Sequence, residues 1–173
     1  IKAKDTTKTG EMAIPSAITL EGVTYTVTSL ENNAFSNCSS FTNITIPASV
    51  TTLGNYAFEN CSSLERVEIP ANVTSIGASA FTGCTSLTNM TMPSTVTSVG
   101  DSFISGSGVR EVVIENAGNV NATTFNGSSI QKVTINSGTI CSKLFANLTS
   151  LNEVVLGETI ASLGTNVFYR CTG

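Results

Sequence analysis

Cysteine is the first residue type in this sequence whose spacing could support chemistry. Cys38, Cys61 and Cys84 recur at intervals of 23 residues, Cys171 holds the same repeat position, and Cys141 lies outside it. Cysteines that recur at one repeat position could form a disulfide, bind a metal ion or stay buried as free thiols. The chain has no histidine and no C-x-x-C pair, and leucine fills the same position in one repeat. The pattern favours buried free thiols and predicts no metal and no cofactor.

Carboxylate pairs are the remaining route to catalysis. Serine and threonine are abundant, but without histidine they have no general base for a catalytic triad. Glu65 with Glu68, or Glu111 with Glu115, could serve as the acid and nucleophile of a glycosidase. Each pair has an arginine beside it and no aromatic residue nearby to hold a sugar. We therefore predict no catalytic residues, and glycan hydrolysis is the least favoured function.

Net charge excludes two classes of partner. The formal charge is −4 and the isoelectric point is near 4.7, so no basic patch exists for nucleic acid or an anionic membrane surface. No stretch approaches the roughly 20 apolar residues that span a bilayer. We expect no nucleic-acid partner and no direct membrane insertion.

The chain is built from an internal repeat, and this repeat determines where the side chains of any functional site would lie. An Ala-Phe pair followed three residues later by cysteine recurs at Ala34-Phe35, Ala57-Phe58 and Ala80-Phe81. The phenylalanine spacing continues through Phe103, Phe125, Phe145 and Phe168, which predicts about seven coils of 20 to 23 residues.

Each coil has an L-x-x-I-x-I-P-like segment that predicts a β-strand. In one of them Val67 and Ile69 point to one side and Arg66 and Glu68 to the other. A V-T-x-L-G unit follows most of these segments and predicts a second short strand, and a helical turn is expected to carry Ala-Phe. A unit of this size cannot bury its apolar side alone, whereas stacked units share one core. The fold class is a mainly β repeat solenoid with a parallel sheet on one face.

These motifs resemble the BspA-type leucine-rich repeat of bacterial cell-surface and secreted proteins, and the resemblance covers nearly the whole chain. It implies a right-handed superhelix, export to the surface of a host-associated bacterium, and adhesion or host-protein binding. The segment from Ile14 to Val27 resembles the β-hairpin that leads such arrays, with Glu21-Gly22 as its turn. We expect this hairpin to cap the first coil.

The domain prediction is a single repeat domain over residues 1–173. Residues 1–30 are assigned to the hairpin cap and a first partial coil, and residues 31–173 to the repeats. The last residues, Cys171-Thr172-Gly173, match the point just before a next strand would begin. This predicts a fragment of a longer chain whose open end favours end-to-end self-association.

The outward strand positions are the candidate binding site. They are Asn43, Arg66, Glu68, Asn89, Glu111, Lys132 and Glu153. A host extracellular protein or glycan is the expected partner. The alternating charges of Glu111, Lys132 and Glu153 also fit a purely structural role, because opposite charges on neighbouring strands are mildly stabilising. A passive spacer that displays another domain is the alternative function.

Coils four to six depart from the repeat. Gly106, Ser128 and Leu148 are expected at the cysteine position, and Gly118 to Thr123 contains no clear V-T-x-I-G. Tolerated drift and a specialised binding segment are both open interpretations, and a change of curvature is expected there.

Overall fold

The computed structural model describes residues 9–173, which form a β-solenoid. One strand from each coil lies on the same face: β1 Gly10–Ala13, β5 Phe41–Thr45, β7 Arg66–Glu68, β9 Asn89–Met92, β11 Glu111–Ile114, β12 Lys132–Ile140 and β13 Glu153–Leu163. All neighbouring pairs that hydrogen-bond on this face are parallel. The predicted repeat solenoid is confirmed.

A second sheet runs along another side of the solenoid. It consists of four two-residue parallel strands: β4 Ser29–Leu30, β6 Thr52–Leu53, β8 Ser75–Ile76 and β10 Ser98–Val99. Leu30, Leu53 and their equivalents point inward and are buried. β6, β8 and β10 lie in V-T-x-L-G units, so the second short strand is confirmed for three of the four units, and the fourth, residues 160–164, overlaps the end of β13.

The leading hairpin lies within the predicted segment, from Ile14 to Val27, and has the predicted turn. It pairs β2 Ala17–Leu20 with β3 Val23–Thr26 in antiparallel register. Glu21 and Gly22 both have positive φ, 51° and 81°, as a type I′ turn requires. Ile18 packs against the core, whereas Tyr25 is 52% exposed. The capping role stays a prediction, and residues 1–8 of the predicted cap lie outside the described residues.

Phenylalanine side chains stacked from coil to coil fill the centre of the solenoid. The Phe35 and Phe58 rings stack at 5.5 Å and the Phe58 and Phe81 rings at 5.1 Å, with interplanar angles of 9° and 11°. All three side chains are fully buried. Further along, Phe145 stacks on Phe125 and on Phe168. Coils at this spacing therefore share one continuous apolar core.

The segments that carry Ala-Phe are tight turns, so the expectation of helical turns is wrong. Ala34 and Phe35 lie between two left-handed residues, Asn33 at φ 58° and Asn37 at φ 63°. A left-handed residue on each side limits any right-handed helical stretch to the three residues between them. Within residues 9–173 the single helix is a 3-10 turn, Ala117–Asn119.

The fourth coil is shifted by one residue from its expected register. Phe81 N–H donates to Phe103 O at 2.7 Å, as Phe35 N–H donates to Ala57 O. Phe103 therefore takes the alanine position and Ile104 the phenylalanine position, where both are fully buried. The Phe103 ring does not stack on Phe81, but it contacts the Phe125 ring edge-on with centroids 5.7 Å apart, so the expectation that Phe103 continues the phenylalanine series is confirmed on the Phe125 side.

The same shift moves the cysteine position of that coil. Gly106 was expected there, but it is the left-handed residue of the turn, at φ 60°. Ser107 takes the cysteine position: its N–H donates to Ile104 O, as Cys38 N–H donates to Phe35 O. Ser128 and Leu148 lie at this position in the next two coils, as expected, because their N–H groups make the same turn bond.

The segment without V-T-x-I-G folds differently from its neighbours. The 3-10 turn Ala117–Asn119 replaces the second strand, and the Asn116 side chain accepts a hydrogen bond from Gly118 N–H at 2.9 Å. Gly138 of the next coil has φ 95°, and a Cβ atom there would clash with Asn116 Oδ1. Where the sequence departs from the repeat motif, the structure therefore has a local turn packed against a glycine of the next coil.

Residues 9–173 contain no helix with the length and apolar character needed to cross a bilayer.

Candidate functional site

The strand face is defined here by the outward side chains of β5, β7, β9, β11, β12 and β13. The first row contains Asn43, Arg66, Asn89, Glu111, Lys132 and Glu153, and the second contains Thr45, Glu68, Thr91, Val113, Thr134 and Val155. Strand pairing aligns each row in the predicted register from β5 to β7 and from β9 to β13. All seven candidate residues lie on this face, and their role in binding stays a prediction.

Alternation along each strand places these side chains outward. In β7, Arg66 and Glu68 are exposed while Val67 points into the core. The same pattern holds in β9, where Asn89 is exposed and Met90 is buried. The buried neighbours fix the backbone, so the outward row is a rigid array.

One cation of the strand face and one beside it have intramolecular partners. Lys132 Nζ lies 2.6 Å from Glu153 Oε1 on the next strand, and this hydrogen bond and charge raise the pKa of Lys132. Arg110, beside the first row, donates to Val109 O at 3.2 Å. The paired charges of β12 and β13 therefore fit the structural role as well as a binding role.

Arg66 differs from these cations. Within residues 9–173 its guanidinium has no carboxylate partner within 4.0 Å and makes no side-chain hydrogen bond. Asn43, its partner on β5, is half-buried, and Asn89 on β9 is exposed. Arg66 is consequently free to contact a ligand with its planar array of five donors.

A groove of about 830 Å³ opens beside Arg66 on the strand face. Its lining includes Glu11, Asn43, Glu65, Arg66, Thr88 and Asn89. A second groove, of about 360 Å³, lies on the other side of Arg66 and is bordered by Glu68. The concave part of this face is therefore concentrated on the first three coils.

The sheet on the strand face is interrupted at this groove. β7 pairs with β5, and β9 pairs with β11, but β7 and β9 share no ladder. The space between them is a cavity of about 340 Å³ lined by Val67, Glu68, Ile69, Asn89, Met90 and Thr91. The second sheet and the Phe58–Phe81 stack continue across the same boundary. The two coils thus stay joined at the back while their front strands lie apart.

One missing hydrogen bond marks the interruption. Glu65 N–H donates to Thr42 O at 2.9 Å, and Arg110 N–H donates to Thr88 O at 2.8 Å. The equivalent bond from Thr88 N–H to Glu65 O is absent among the described residues. The repeat sequence carries no signal for this gap, because β7 has the same motif as its neighbours.

The cysteines are free thiols, as expected. Cys38, Cys61 and Cys84 are buried, and Cys141 and Cys171 are half-buried. Burial raises the pKa of Cys61 and raises that of Cys84 to about 12, which keeps both thiols neutral and unreactive. Across residues 9–173 no three His, Cys, Asp or Glu side chains form a cluster suited to a metal ion.

The carboxylate pairs occupy different surroundings. Glu65 lines the larger groove, whereas Glu68 borders the two smaller cavities. Glu115 Oε2 accepts a hydrogen bond from Asn136 Nδ2 at 2.8 Å. None of the three cavities has an aromatic lining residue, and the exposed tyrosines Tyr56 and Tyr169 lie in turns away from the strand face. The site is built for polar contacts rather than for stacking on a sugar.

Known proteins share both the repeat and the fold. The family model described as a BspA type leucine-rich repeat region matches six copies, over residues 16–128 and 118–173. No curated protein matches this chain.

Solved structures with the same fold come from several bacteria. A leucine-rich repeat protein from T. pallidum is similar over 94% of this chain and 76% of its own, with a TM-score of 0.68 and 24% identity. One from Bacteroides capillosus covers 65% of this chain and 79% of its own, with a TM-score of 0.56 and 32% identity. One from Eubacterium ventriosum covers 91% and 50%, with a TM-score of 0.61 and 18% identity.

Proposed function

Because this chain belongs to the BspA-type leucine-rich repeat family, we propose that it is a non-enzymatic interaction module which binds an extracellular protein or glycan through its strand face. The observation that supports this is the set of mainly polar outward side chains held in register on two parallel sheets, one containing β5 and β7 and one containing β9, β11, β12 and β13. Such a surface presents many hydrogen-bonding groups at fixed spacing without a cost in backbone ordering.

Adhesion on an exported bacterial surface protein is the biological setting of this proposal. It rests on the resemblance to cell-surface and secreted repeat proteins. The strand face has no aromatic anchor, and aromatic residues contribute much of the energy of tight interfaces. Affinity of a single module is therefore expected to be low, and repeated display on a cell surface would raise it through avidity.

A binding screen tests the proposal. The protein is applied to arrays of extracellular matrix proteins and glycans, and at least one component is expected to bind saturably. Substitution of Thr91→Arg or Thr134→Arg adds a bulky side chain to the second row and should lower affinity about tenfold or more. Thr97→Arg, at an exposed position off the strand face, is the matched control and should leave binding unchanged.

Three results would count against the proposal. Absence of saturable binding to every component would favour a passive spacer. Loss of binding in the Thr97→Arg control alone would place the interaction on another face. Release of reducing sugar from a glycan would show hydrolase activity.

A further inference from the structure

One Asn-Gly pair occurs in the sequence, Asn126-Gly127, and both of its residues are exposed in the turn of the fifth coil. Thr82 and Ser105, which occupy the position of Asn126 in the third and fourth coils, are half-buried. The Asn126 side chain makes no hydrogen bond to any part of residues 9–173. Glycine has no Cβ atom that would shield its backbone nitrogen, so the asparagine amide and this nitrogen can approach each other.

The pair occupies the two middle positions of a β-turn. Ser128 N–H donates to Phe125 O at 3.1 Å, and Gly127 has φ 72° at the third position, as a type II turn requires. The hydrogen bond that closes such a turn joins its first and last residues. The N–H of the third residue therefore depends on an acceptor from outside the turn.

In the other turns the following coil supplies this acceptor. The equivalent N–H groups donate to a carbonyl of the next coil at distances from 2.7 to 3.1 Å, and they belong to Asn37, Asn60, Gly83, Gly106 and Asn147. The corresponding bond from Gly127 N–H to Ala146 O is absent within residues 9–173, and so is the bond from Phe125 N–H to Leu144 O. The backbone nitrogen that follows the exposed asparagine is thus the one in this series that no carbonyl holds.

We propose that Asn126-Gly127 is a site of spontaneous covalent modification in the folded protein, at which Asn126 is converted to aspartate and isoaspartate. The Gly127 nitrogen attacks Cγ of Asn126. A bond from this nitrogen to Cγ forms, the bond from Cγ to Nδ2 breaks, and ammonia leaves with the proton of the Gly127 N–H. Water then opens the resulting succinimide ring at Cγ, which gives aspartate, or at the backbone carbonyl carbon of Asn126, which gives isoaspartate.

The modification changes both charge and backbone at this turn. Either product replaces a neutral amide by a carboxylate that is ionised at neutral pH. Isoaspartate also lengthens the main chain by one methylene next to Gly127, whose carbonyl accepts a hydrogen bond from Gly106 N–H at 3.0 Å. Asn126 lies outside the strands that form the strand face. The proposal is therefore independent of the proposed binding function, and failure of either one leaves the other standing.

Amide hydrogen exchange tests the free nitrogen directly. In the folded protein Gly127 N–H should exchange at least about tenfold faster than Gly83 N–H and Gly106 N–H, which occupy equivalent turns and are hydrogen-bonded. Equal protection of the three glycines would show that Gly127 N–H has an acceptor and would overturn the proposal.

Prolonged incubation of the folded protein tests the chemistry. Peptide mapping by mass spectrometry should find conversion of the amide to the acid at Asn126, and chromatography should separate the aspartate and isoaspartate peptides. The rate should lie within about tenfold of the rate in the urea-unfolded chain, because no hydrogen bond has to open first. In Asn126→Gln the amide carbon lies one bond further from the Gly127 nitrogen, so conversion should be at least about tenfold slower. A folded protein that keeps its Asn126 amide while the unfolded chain loses it would contradict the proposal.

A matched variant separates the effect of structure from that of sequence. Thr82→Asn places a second Asn-Gly pair at the equivalent position of the third coil, where Gly83 N–H is bonded to Ser105 O at 3.1 Å. In the folded variant this pair should convert at least about tenfold more slowly than Asn126-Gly127 in the same molecule, and in urea the two rates should be equal. Equal rates in the folded state would show that the free nitrogen plays no part and would overturn the proposal. If Thr82→Asn fails to fold, the exchange comparison of the three glycines decides the matter on the unaltered chain.

Discussion

The Sγ atom of Cys61 donates a hydrogen bond to the carbonyl oxygen of Phe35, in the preceding coil, at 3.1 Å. Cys84 repeats this contact with Phe58 O at 3.1 Å. The thiol thus fills a small apolar position and also satisfies a backbone acceptor between two coils. This dual role explains why the cysteines recur with the repeat although they form no disulfide and no metal site among the described residues.

Native thiol reactivity follows from this arrangement. Titration of the folded, unreduced protein with a chromogenic disulfide should leave Cys61 and Cys84 unmodified, because both are fully buried with raised pKa values. Cys141 and Cys171, which are half-buried, should react first. Addition of denaturant should expose all five thiols. Rapid reaction of most thiols in the folded state would contradict the burial of these cysteines.

Stability should fall at alkaline pH for the same reason. Burial raises the pKa of Cys84 from 9.0 to about 12 in the folded state, so its stabilising contribution is complete below about pH 9. As pH rises from about 9 towards 12 the unfolded chain loses this proton first, and the free energy of unfolding should fall by up to about 1.4 kcal/mol per pH unit. Urea unfolding across this range measures the slope.

The matched control for the alkaline effect is Cys84→Ala. This variant lacks the ionisable thiol, so its free energy of unfolding should fall less steeply between pH 9 and pH 12 than that of the native sequence. Parallel slopes for the two proteins would assign the alkaline instability to other groups.

The stacked phenylalanines predict that removal of one ring strongly destabilises the protein. Phe58 is fully buried between Phe35 and Phe81, so Phe58→Ala should lower the free energy of unfolding by about 3 to 5 kcal/mol. Chemical denaturation measures this change. Tyr56→Ala, two residues away but 41% exposed, should cost much less. An unchanged midpoint for the Phe58 variant would show that the ring does not fill the core.

Sequence periodicity was sufficient to predict most of this fold. Strand register could be predicted because a one-residue slip would bury Arg66 and expose Val67. The one-residue shift at Phe103 and Ile104 could not be, because both are apolar and only the backbone turn distinguishes them. Strand β1 was also missed, since Gly10–Ala13 lacks the leucine and isoleucine pattern.

The candidate site was predicted less completely than the fold. The outward rows follow from alternation alone, so the placement of their side chains was predicted, while their role in binding stays a prediction. The interruption between β7 and β9 depends on how two coils pack, and Arg66 and Asn89 carry no local signal that their strands lie apart. Periodicity identifies which side chains are outward, and packing decides where the face opens into a groove.

The two serines at the cysteine position lead to the last prediction. Ser107 Oγ donates to Ile104 O at 2.7 Å and accepts from Val109 N–H at 3.3 Å. Ser128 Oγ is buried and has no hydrogen-bond partner among the described residues. A buried hydroxyl without a partner is destabilising by about 1 to 3 kcal/mol relative to a bonded one. Both positions hold serine in the sequence, but in the structure the Ser107 hydroxyl is stabilising and the Ser128 hydroxyl is destabilising.

Removal of each hydroxyl should therefore have opposite effects on stability. Ser128→Ala deletes an unpaired polar group and should raise the free energy of unfolding by about 1 kcal/mol, whereas Ser107→Ala breaks two hydrogen bonds and should lower it by about the same amount. Ser128→Cys, which restores the residue found in the first three repeats, should also stabilise. Urea denaturation of the three variants measures the differences. A loss of stability in Ser128→Ala as large as that in Ser107→Ala would show that the Ser128 hydroxyl has a partner after all.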